Sequence, residues 1–327
     1  MRIVFMGTPE FAVPSLHTLL DNGYEVVAVV TQPDRPKGRK RVLTPPPVKE
    51  AALALGLPVL QPERMRSEEA AEAIAALKPD LIVTAAYGQI LPKAVLDTPP
   101  LGCINVHGSL LPQYRGGAPI QRSIINGEKV TGVTIMYMAA GLDTGDMISK
   151  VEVPIEDDDT SGTLFEKLSL AGAELLARTL PAIAAGDAAR TPQQHELATY
   201  APNLTRDDER IDWSRTARQI YDQVRGLSPM AGAFTTLSGE VFKVWTCAKP
   251  ADGASAAGKH DSGTVLEASD KGIRVQTGSG ELLLLIVQPS GKRAMDVSEW
   301  LKGAKLPAGT QFGQASSDGE QSEGGAQ

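Results

Sequence analysis

The chain has 327 residues, 42% of them hydrophobic and 22% charged, with a formal net charge of −7. That length favours two domains over one small core, and the composition is that of a folded globular protein rather than a disordered or fibrous one. The longest purely apolar run, residues 282–287, is far short of the roughly 20 residues that cross a bilayer, which excludes an uninterrupted membrane segment of that kind.

In chain order, residues 2–6 read as a buried strand, followed by a turn at Gly7-Thr8-Pro9 and a helix to about Leu20. A Val-rich strand covers 25–30, and no helix or inner strand can hold the next stretch, 33–47, with its five prolines. An Ala-rich helix over 68–77 and strands at 81–86, 103–106 and 133–138 complete the first half. Strands separated by helices predict an α/β fold, with a mostly parallel sheet covered on both faces. The turn at Gly7 lacks GxGxxG, so a dinucleotide site is a weak reading.

Residues 160–185 read as one or two helices, with Thr160 and Ser161 as cap candidates and Pro181 near the end. Apolar periodicity fades between 192 and 208, as in a linker. Ser214 then starts a helix carrying Ala217, Ile220, Tyr221 and Val224 at helical spacing. Short β runs follow at 241–248, 263–267, 272–277 and 281–287, the pattern of a small barrel or sandwich. The last residues, from Gln314, lack an apolar anchor and read as a disordered tail.

The most informative stretch is Ile104-Asn105-Val106-His107-Gly108-Ser109-Leu110-Leu111-Pro112. If 102–106 is a strand, Asn105 and His107 point to one face, because strand side chains alternate. Polar groups at the carboxyl end of a strand in an open α/β sheet are well placed for chemistry. The loop Gly141-Leu142-Asp143-Thr144-Gly145-Asp146 can add a carboxylate. An amide, an imidazole and a carboxylate together can polarise a carbonyl and move a proton, which is acyl-transfer chemistry. Each also has a plain structural reading: His107 as a satisfied core histidine, Asn105 as a turn former, Asp143 as a turn cap.

Cys103 shares the strand face with His107, but four residues of strand separate them by about 13 Å. A buried structural thiol is the better reading. Cys103 and Cys247 form no CxxC, so reduced thiols and no metal site are expected. With no signal-peptide pattern, the expected compartment is the cytoplasm.

Asn105-x-His107, Ser109-Leu110-Leu111-Pro112-x-x-Arg115-Gly116 and Gly141-Leu142-Asp143-Thr144-Gly145 together resemble the folate-dependent formyltransferases. The resemblance extends through Phe5-Met6-Gly7-Thr8-Pro9-Glu10-Phe11-Ala12, Thr31-Gln32-Pro33-Asp34-Arg35-Pro36 and Ala86-Tyr87-Gly88-Gln89-Ile90-Leu91-Pro92. It continues in Gly117-Ala118-Pro119-Ile120-Gln121, Tyr200-Ala201-Pro202 and Ile211-Asp212-Trp213, covering roughly residues 1–313. One departure is Gly108, where many members carry proline after the histidine.

This resemblance implies a Rossmann-like catalytic domain over 1–190, a linker over 191–208, an OB-like tRNA-binding domain over 209–313 and a tail over 314–327. The implied donor is 10-formyltetrahydrofolate. The implied acceptor is the α-amino group of methionine on initiator tRNA, formylated for translation initiation by direct attack through a tetrahedral intermediate. Asn105, His107 and Asp143 fall on the family's catalytic residues, and Ser109, Leu110, Leu111 and Pro112 on its folate-contacting turn. No metal is implied, and the expected protein is a monomer without membrane partners.

The stretch 34–49 carries six basic residues against Asp34 alone, a local +5 in an acidic chain. By composition this is a solvated charge run or a site that steers a polyanion. The resemblance places the tRNA acceptor end here, with Arg39, Lys40 and Arg41 as contacts. Residues 206–313 hold 14 basic and 13 acidic side chains, and Lys243, Lys249, Arg274, Lys292 and Arg293 are candidates for one positive face. Rival readings are another folate-dependent formyltransferase acting on a sugar amine or glycinamide ribonucleotide, a non-catalytic RNA binder on the same scaffold and, more distantly, a nicotinamide oxidoreductase.

Overall fold

In the computed structural model, which describes residues 1–38, 40–251 and 260–314, the apolar runs of the first half become strands of one sheet. In chain order these are β1 (Arg2–Gly7), β2 (Glu25–Val30), β3 (Arg35–Lys37), β4 (Val42–Thr44), β5 (Val59–Leu60), β6 (Leu81–Ala85), β7 (Cys103–His107), β8 (Val130–Tyr137) and β9 (Met147–Pro154). All but β3 and β4 join in the order β5-β2-β1-β6-β7-β8-β9. Pairs from β5 through β7 are parallel, and β8 and β9 close the sheet antiparallel. This is the Rossmann-like, mostly parallel sheet expected. Ile3, Val4, Phe5 and Met6 are all fully buried, as a strand covered on both faces requires.

From β1 the chain first builds outward to β2 and β5, then returns to add β6 and β7 on the other side. Such a reversal opens a crevice at the carboxyl ends of the central strands, the usual ligand site of this architecture. Amide side chains bind the loops at that edge to one another. Gln32 Nε2 donates to Tyr87 O (3.2 Å), Gln61 Nε2 to Gln32 O (3.0 Å), and Gln89 Nε2 to Pro62 O (3.2 Å).

The chain divides into two units. The first comprises Met1–Pro119, Val130–Pro154 and Phe165–Pro202; the second comprises Ile120–Lys129, Ile155–Leu164 and the residues from Asn203. Residues 160–185, which the sequence left as one or two helices, form a single helix, Ser161–Ala185, with Pro181 inside it. It is long and apolar enough to cross a membrane by length and composition. Within the first unit, however, its Leu168, Leu176 and Leu180 are fully buried. Its Gly172 lies against β7 and β8, where a Cβ would sit 2.9 Å from Val106.

Several elements carry no clear sequence signal. Strand β9 is an edge whose residues after Met147 are half-buried or exposed, so its apolar pattern is broken by Ser149, Lys150 and Glu152. The helix Pro47–Ala54 begins on the last proline of the Pro45-Pro46-Pro47 run, since proline is favoured in a first helical turn. The basic stretch is not a plain loop: β3 and β4 pair as a short antiparallel hairpin outside the main sheet.

The second unit contains β10 (Ala233–Leu237), β11 (Glu240–Cys247), β12 (Val265–Ser269), β13 (Gly272–Gln276), β14 (Glu281–Pro289) and β15 (Met295–Asp296). They form an antiparallel sheet in the order β10-β11-β14-β13-β12, with β15 on β14. This is the small β domain expected. Phe242 is buried, with ring centroids 5.2 Å from Trp300 and 5.4 Å from Phe312, so it is a packing residue. Helix Ala217–Leu227 is capped by a reciprocal Thr216–Gln219 box. The expected cap, Ser214, instead donates its hydroxyl to Asp212 (2.6 Å), because the true first turn starts two residues later.

The positive face expected on this unit is largely neutralised. Lys249 pairs with Asp157, Arg274 with Glu267 and Glu281, and Arg293 with Glu299. The tail expected to be disordered lies, from residue 315, outside the described residues.

Candidate active site

Strand β7 presents Asn105 and His107 on one face, while Val106 packs behind them on the long helix. Asn105 pairs in register with Thr84 of β6. The Thr84 hydroxyl lies 2.8 Å from Asn105 Oδ1 and 3.0 Å from Ile104 O, so it donates toward both acceptors. This holds the amide oxygen against the sheet and turns Nδ2, which has no protein acceptor among the described residues, the other way.

His107 is 6% exposed. Its Nε2 lies 3.1 Å from Tyr114 O, and a carbonyl can only accept, so Nε2 carries the proton of the neutral ring. The basic lone pair is therefore on Nδ1, which faces Asp143 Oδ2 at 3.8 Å. That separation is too long for a direct hydrogen bond.

Asp143 is held from several sides. Its Oδ2 accepts from Gly116 N at 2.8 Å. Its backbone is left-handed, at φ 49°, which a non-glycine residue keeps only where its surroundings impose it. Gln193 Nε2 donates to Asp143 O and to Gly145 O, both at 2.8 Å. The turn also needs Gly145, since a Cβ there would lie 1.9 Å from Tyr137 O. Gln193 Oε1 in turn accepts from Arg115 Nε (3.1 Å) and Nη2 (2.7 Å). Arg115 stood in the sequence motif without a role. Thr84 and Gln193 were missed, because an ordinary strand threonine and a glutamine in an apparent linker send no local signal.

In the turn after β7, Ser109 and Leu111 are buried, whereas Leu110 and Pro112 stay half-exposed. Ser109 Oγ donates to Gln113 O (2.7 Å), Leu111 N donates to Thr134 Oγ1 (3.1 Å), and Lys150 Nζ donates to Leu111 O. Burial of Lys150 pushes its pKa down from the ordinary lysine value. Ser109 and Leu111 thus shape the turn, and its exposed surface comes from Leu110 and Pro112. Cys103 is no nucleophile: burial, with a contribution from Asp97, pushes its thiol pKa up to about 12.

Asn105, His107, Asp143 and the Ser109-to-Pro112 turn are therefore brought together. The basic hairpin leaves the carboxyl end of β2, which is parallel to β7 through β1 and β6, so both emerge at the same edge of the sheet. No hydrogen bond or ion pair links it to the three polar residues among those described. At its base Lys49 pairs with Asp34 (2.8 Å), whose carboxyl is held below the ordinary range first by its bond from Gln61 and then by Lys49. Lys37, Lys40 and Arg41 have no acidic partner among the described residues, and Arg39 lies outside them. Among the described residues no group of three or more His, Cys, Asp or Glu could hold a metal ion.

The formyl transferase family profile matches residues 1–180, more than half of the chain, and the formyl transferase C-terminal domain profile matches 203–305. The methionyl-tRNA formyltransferase of Bacillus subtilis (strain 168) is 58% identical over 313 residues, covering 95% of this chain and 98% of the relative. That of Bacillus pumilus (strain SAFR-032) is 56% identical over 314 residues, covering 95% and 98%. Among solved structures, WlaRD, a sugar 3N-formyl transferase, superposes with TM-score 0.65 at 19% identity, over 90% of this chain and 99% of that one. HypX from Aquifex aeolicus in complex with tetrahydrofolic acid gives TM-score 0.61 at 18% identity, over 92% and 47%. At such identities these two share the fold alone. The chain belongs to the formyl transferase family, alongside the methionyl-tRNA formyltransferases that it matches over nearly its whole length.

Proposed function

We propose that this protein transfers the formyl group of 10-formyltetrahydrofolate to the α-amino group of methionyl initiator tRNA, for translation initiation in the cytoplasm. The substrate assignment draws on the full-length similarity to methionyl-tRNA formyltransferases. The observation that carries the chemistry is the convergence of Asn105, His107 and Asp143, with the imidazole tautomer set by Tyr114 O.

The amine nitrogen attacks the formyl carbon, and the carbonyl π electrons move onto oxygen. Asn105 Nδ2 donates to that oxyanion; a donor of this kind is worth about 3–4 kcal/mol, or 10²–10³ in rate. His107 Nδ1 takes the proton that the attacking amine releases. Asp143 Oδ2, 3.8 Å from Nδ1, offsets the positive charge the ring carries during the transfer. The bond from carbon to the folate nitrogen then breaks, the carbonyl re-forms, and that nitrogen receives the proton His107 took, which returns the ring to its neutral form. The half-exposed Leu110 and Pro112 supply an apolar edge for the folate ring. Arg39, Lys40 and Arg41 attract the tRNA end, and the protein acts as a monomer without a resident metal.

Incubation with 10-formyltetrahydrofolate and charged initiator tRNA, followed by mass analysis of the released aminoacyl group, tests the reading. Formyl-methionine is expected, with no transfer to a nucleotide-linked amino sugar. Transfer to the sugar and not to the tRNA would reverse the substrate assignment. No transfer to any acceptor would favour an RNA binder that keeps only the scaffold.

A further inference from the structure

We propose that Gln193 is a positioning residue for this reaction, clamping the Asp143 turn to the buried Arg115 side chain and so setting the Asp143 carboxylate against His107. The inference rests on the reading of Asp143 as a catalytic group. By composition Gln193 sits in a linker, where a glutamine would be solvated, yet it is 5% exposed. Its oxygen accepts twice from Arg115, and its two N–H groups go to the carbonyls of Asp143 and Gly145, which bracket the left-handed turn. Among uncharged side chains only a primary amide can accept from a guanidinium and donate two N–H groups at once.

Arg115 reinforces the clamp. It is 2% exposed, and among the described residues its side chain bonds to Gln193 Oε1 and His195 Nδ1 (3.1 Å) and to no carboxylate. Donation from a charged group strengthens the bond to Oε1 and, by polarising the amide, the bonds that Nε2 gives onward. The segment that carries Gln193 is tied down on both sides. Thr191 and Met147 exchange two backbone bonds of 2.9 Å, Arg115 N donates to Thr199 O (2.9 Å), and Ala201 N donates to Arg115 O (2.7 Å). The next residue, Gly116, supplies the N–H that holds Asp143 Oδ2. Both anchors of Asp143, at carboxylate and at backbone, therefore trace to residues 115 and 116.

Steady-state kinetics of the full chain carrying Gln193→Glu test the clamp. The substitution keeps the shape and the acceptor for Arg115, but removes both donors and sets carboxylate oxygen against two carbonyls. We expect kcat to fall about 10- to 100-fold, the scale of a small misplacement at a reacting centre, with KM for folate and tRNA within about twofold. In an Asp143→Ala background the same change should cost less than about twofold, because its effect passes through Asp143. A full loss in both backgrounds, or a normal kcat for Gln193→Glu while Asp143→Ala is impaired, overturns the clamp alone. A normal kcat for Asp143→Ala overturns the reading of the site as well. Gln193→Leu serves as a second variant, with thermal melting confirming that each protein is folded.

Discussion

The end of β7 and the hairpin β3–β4 emerge at the same edge of one sheet and are built in opposite ways. At β7 the polar groups are enclosed: His107 is 6% exposed, and its ring, the Asn105 oxygen and the Asp143 carboxylate each have a protein contact on one side. On the hairpin, Val42 and Leu43 are 60% and 64% exposed, and the neighbouring cations Lys37, Lys40 and Arg41 have no acidic partner among the described residues. Charge developing on one oxygen atom must be met by donors already in place, so those side chains are pinned. A polyanion is attracted through a field that reaches about 8–10 Å in physiological salt, so its recognition needs cations without needing them fixed.

The sharpest way to break this contrast is at β7. Asn105→Ala and His107→Ala should each lower kcat by about 10²–10³ while leaving affinity for charged tRNA unchanged. Single-turnover transfer and filter binding separate the two effects, and normal turnover by His107→Ala would end the assignment. Replacing Arg39, Lys40 and Arg41 with alanine should do the reverse, weakening tRNA binding while saturating kcat stays near wild type. If about five phosphates are neutralised, wild-type affinity should drop roughly two decades between 50 and 200 mM salt. The triple variant should show a shallower slope, by about one per lost contact. An unchanged slope would remove the hairpin from RNA binding.

Gly145→Ala sharpens the enclosed side. Its new Cβ would meet Tyr137 O, a backbone atom, at 1.9 Å. A stability loss of about 1–3 kcal/mol is expected, together with reduced kcat from the displaced Asp143 turn. Denaturant melts and kinetics measure both, and a variant normal in each would mean that the turn tolerates rearrangement.

The smallest effect concerns the second unit. Asp157 is held well below the ordinary carboxylate range, first by its bond from Lys249 and then by Arg218. A depressed folded-state value means that its stabilisation is complete above about pH 4, the unfolded value, and is lost only as pH falls through the lower folded value. Asp157→Asn should therefore lower Tm slightly at neutral pH, with the gap narrowing in acid. In the wild type, the Asp157 carboxyl carbon should still report an ionised group by NMR at pH 3. Protonation there near pH 4 would show that the ion pairs contribute little.

Legibility in the sequence followed the range of the interaction. Strand β2 lies at residues 25–30 as its run of valines predicts, and Asn105 and His107 share a face because two residues of one strand must. Strand β9 was not legible, because an edge needs no continuous apolar face. The cap at Thr216 was displaced by two residues from Ser214, since two neighbouring hydroxyl residues compete for the role and only helix packing decides between them.

What the amino-acid order determined by itself was the local content: which runs are strands, where proline forbids an inner strand, and that an amide and an imidazole point together beside a small-residue turn. Only the tertiary structure decided which oxygen meets His107, that Thr84 orients Asn105, and that Gln193, 78 residues beyond Arg115, belongs to the site at all. Backbone geometry dictates side-chain direction within an element. The separation of groups on distant segments is set by how the loops between them close and pack, and no periodicity in the chain encodes it.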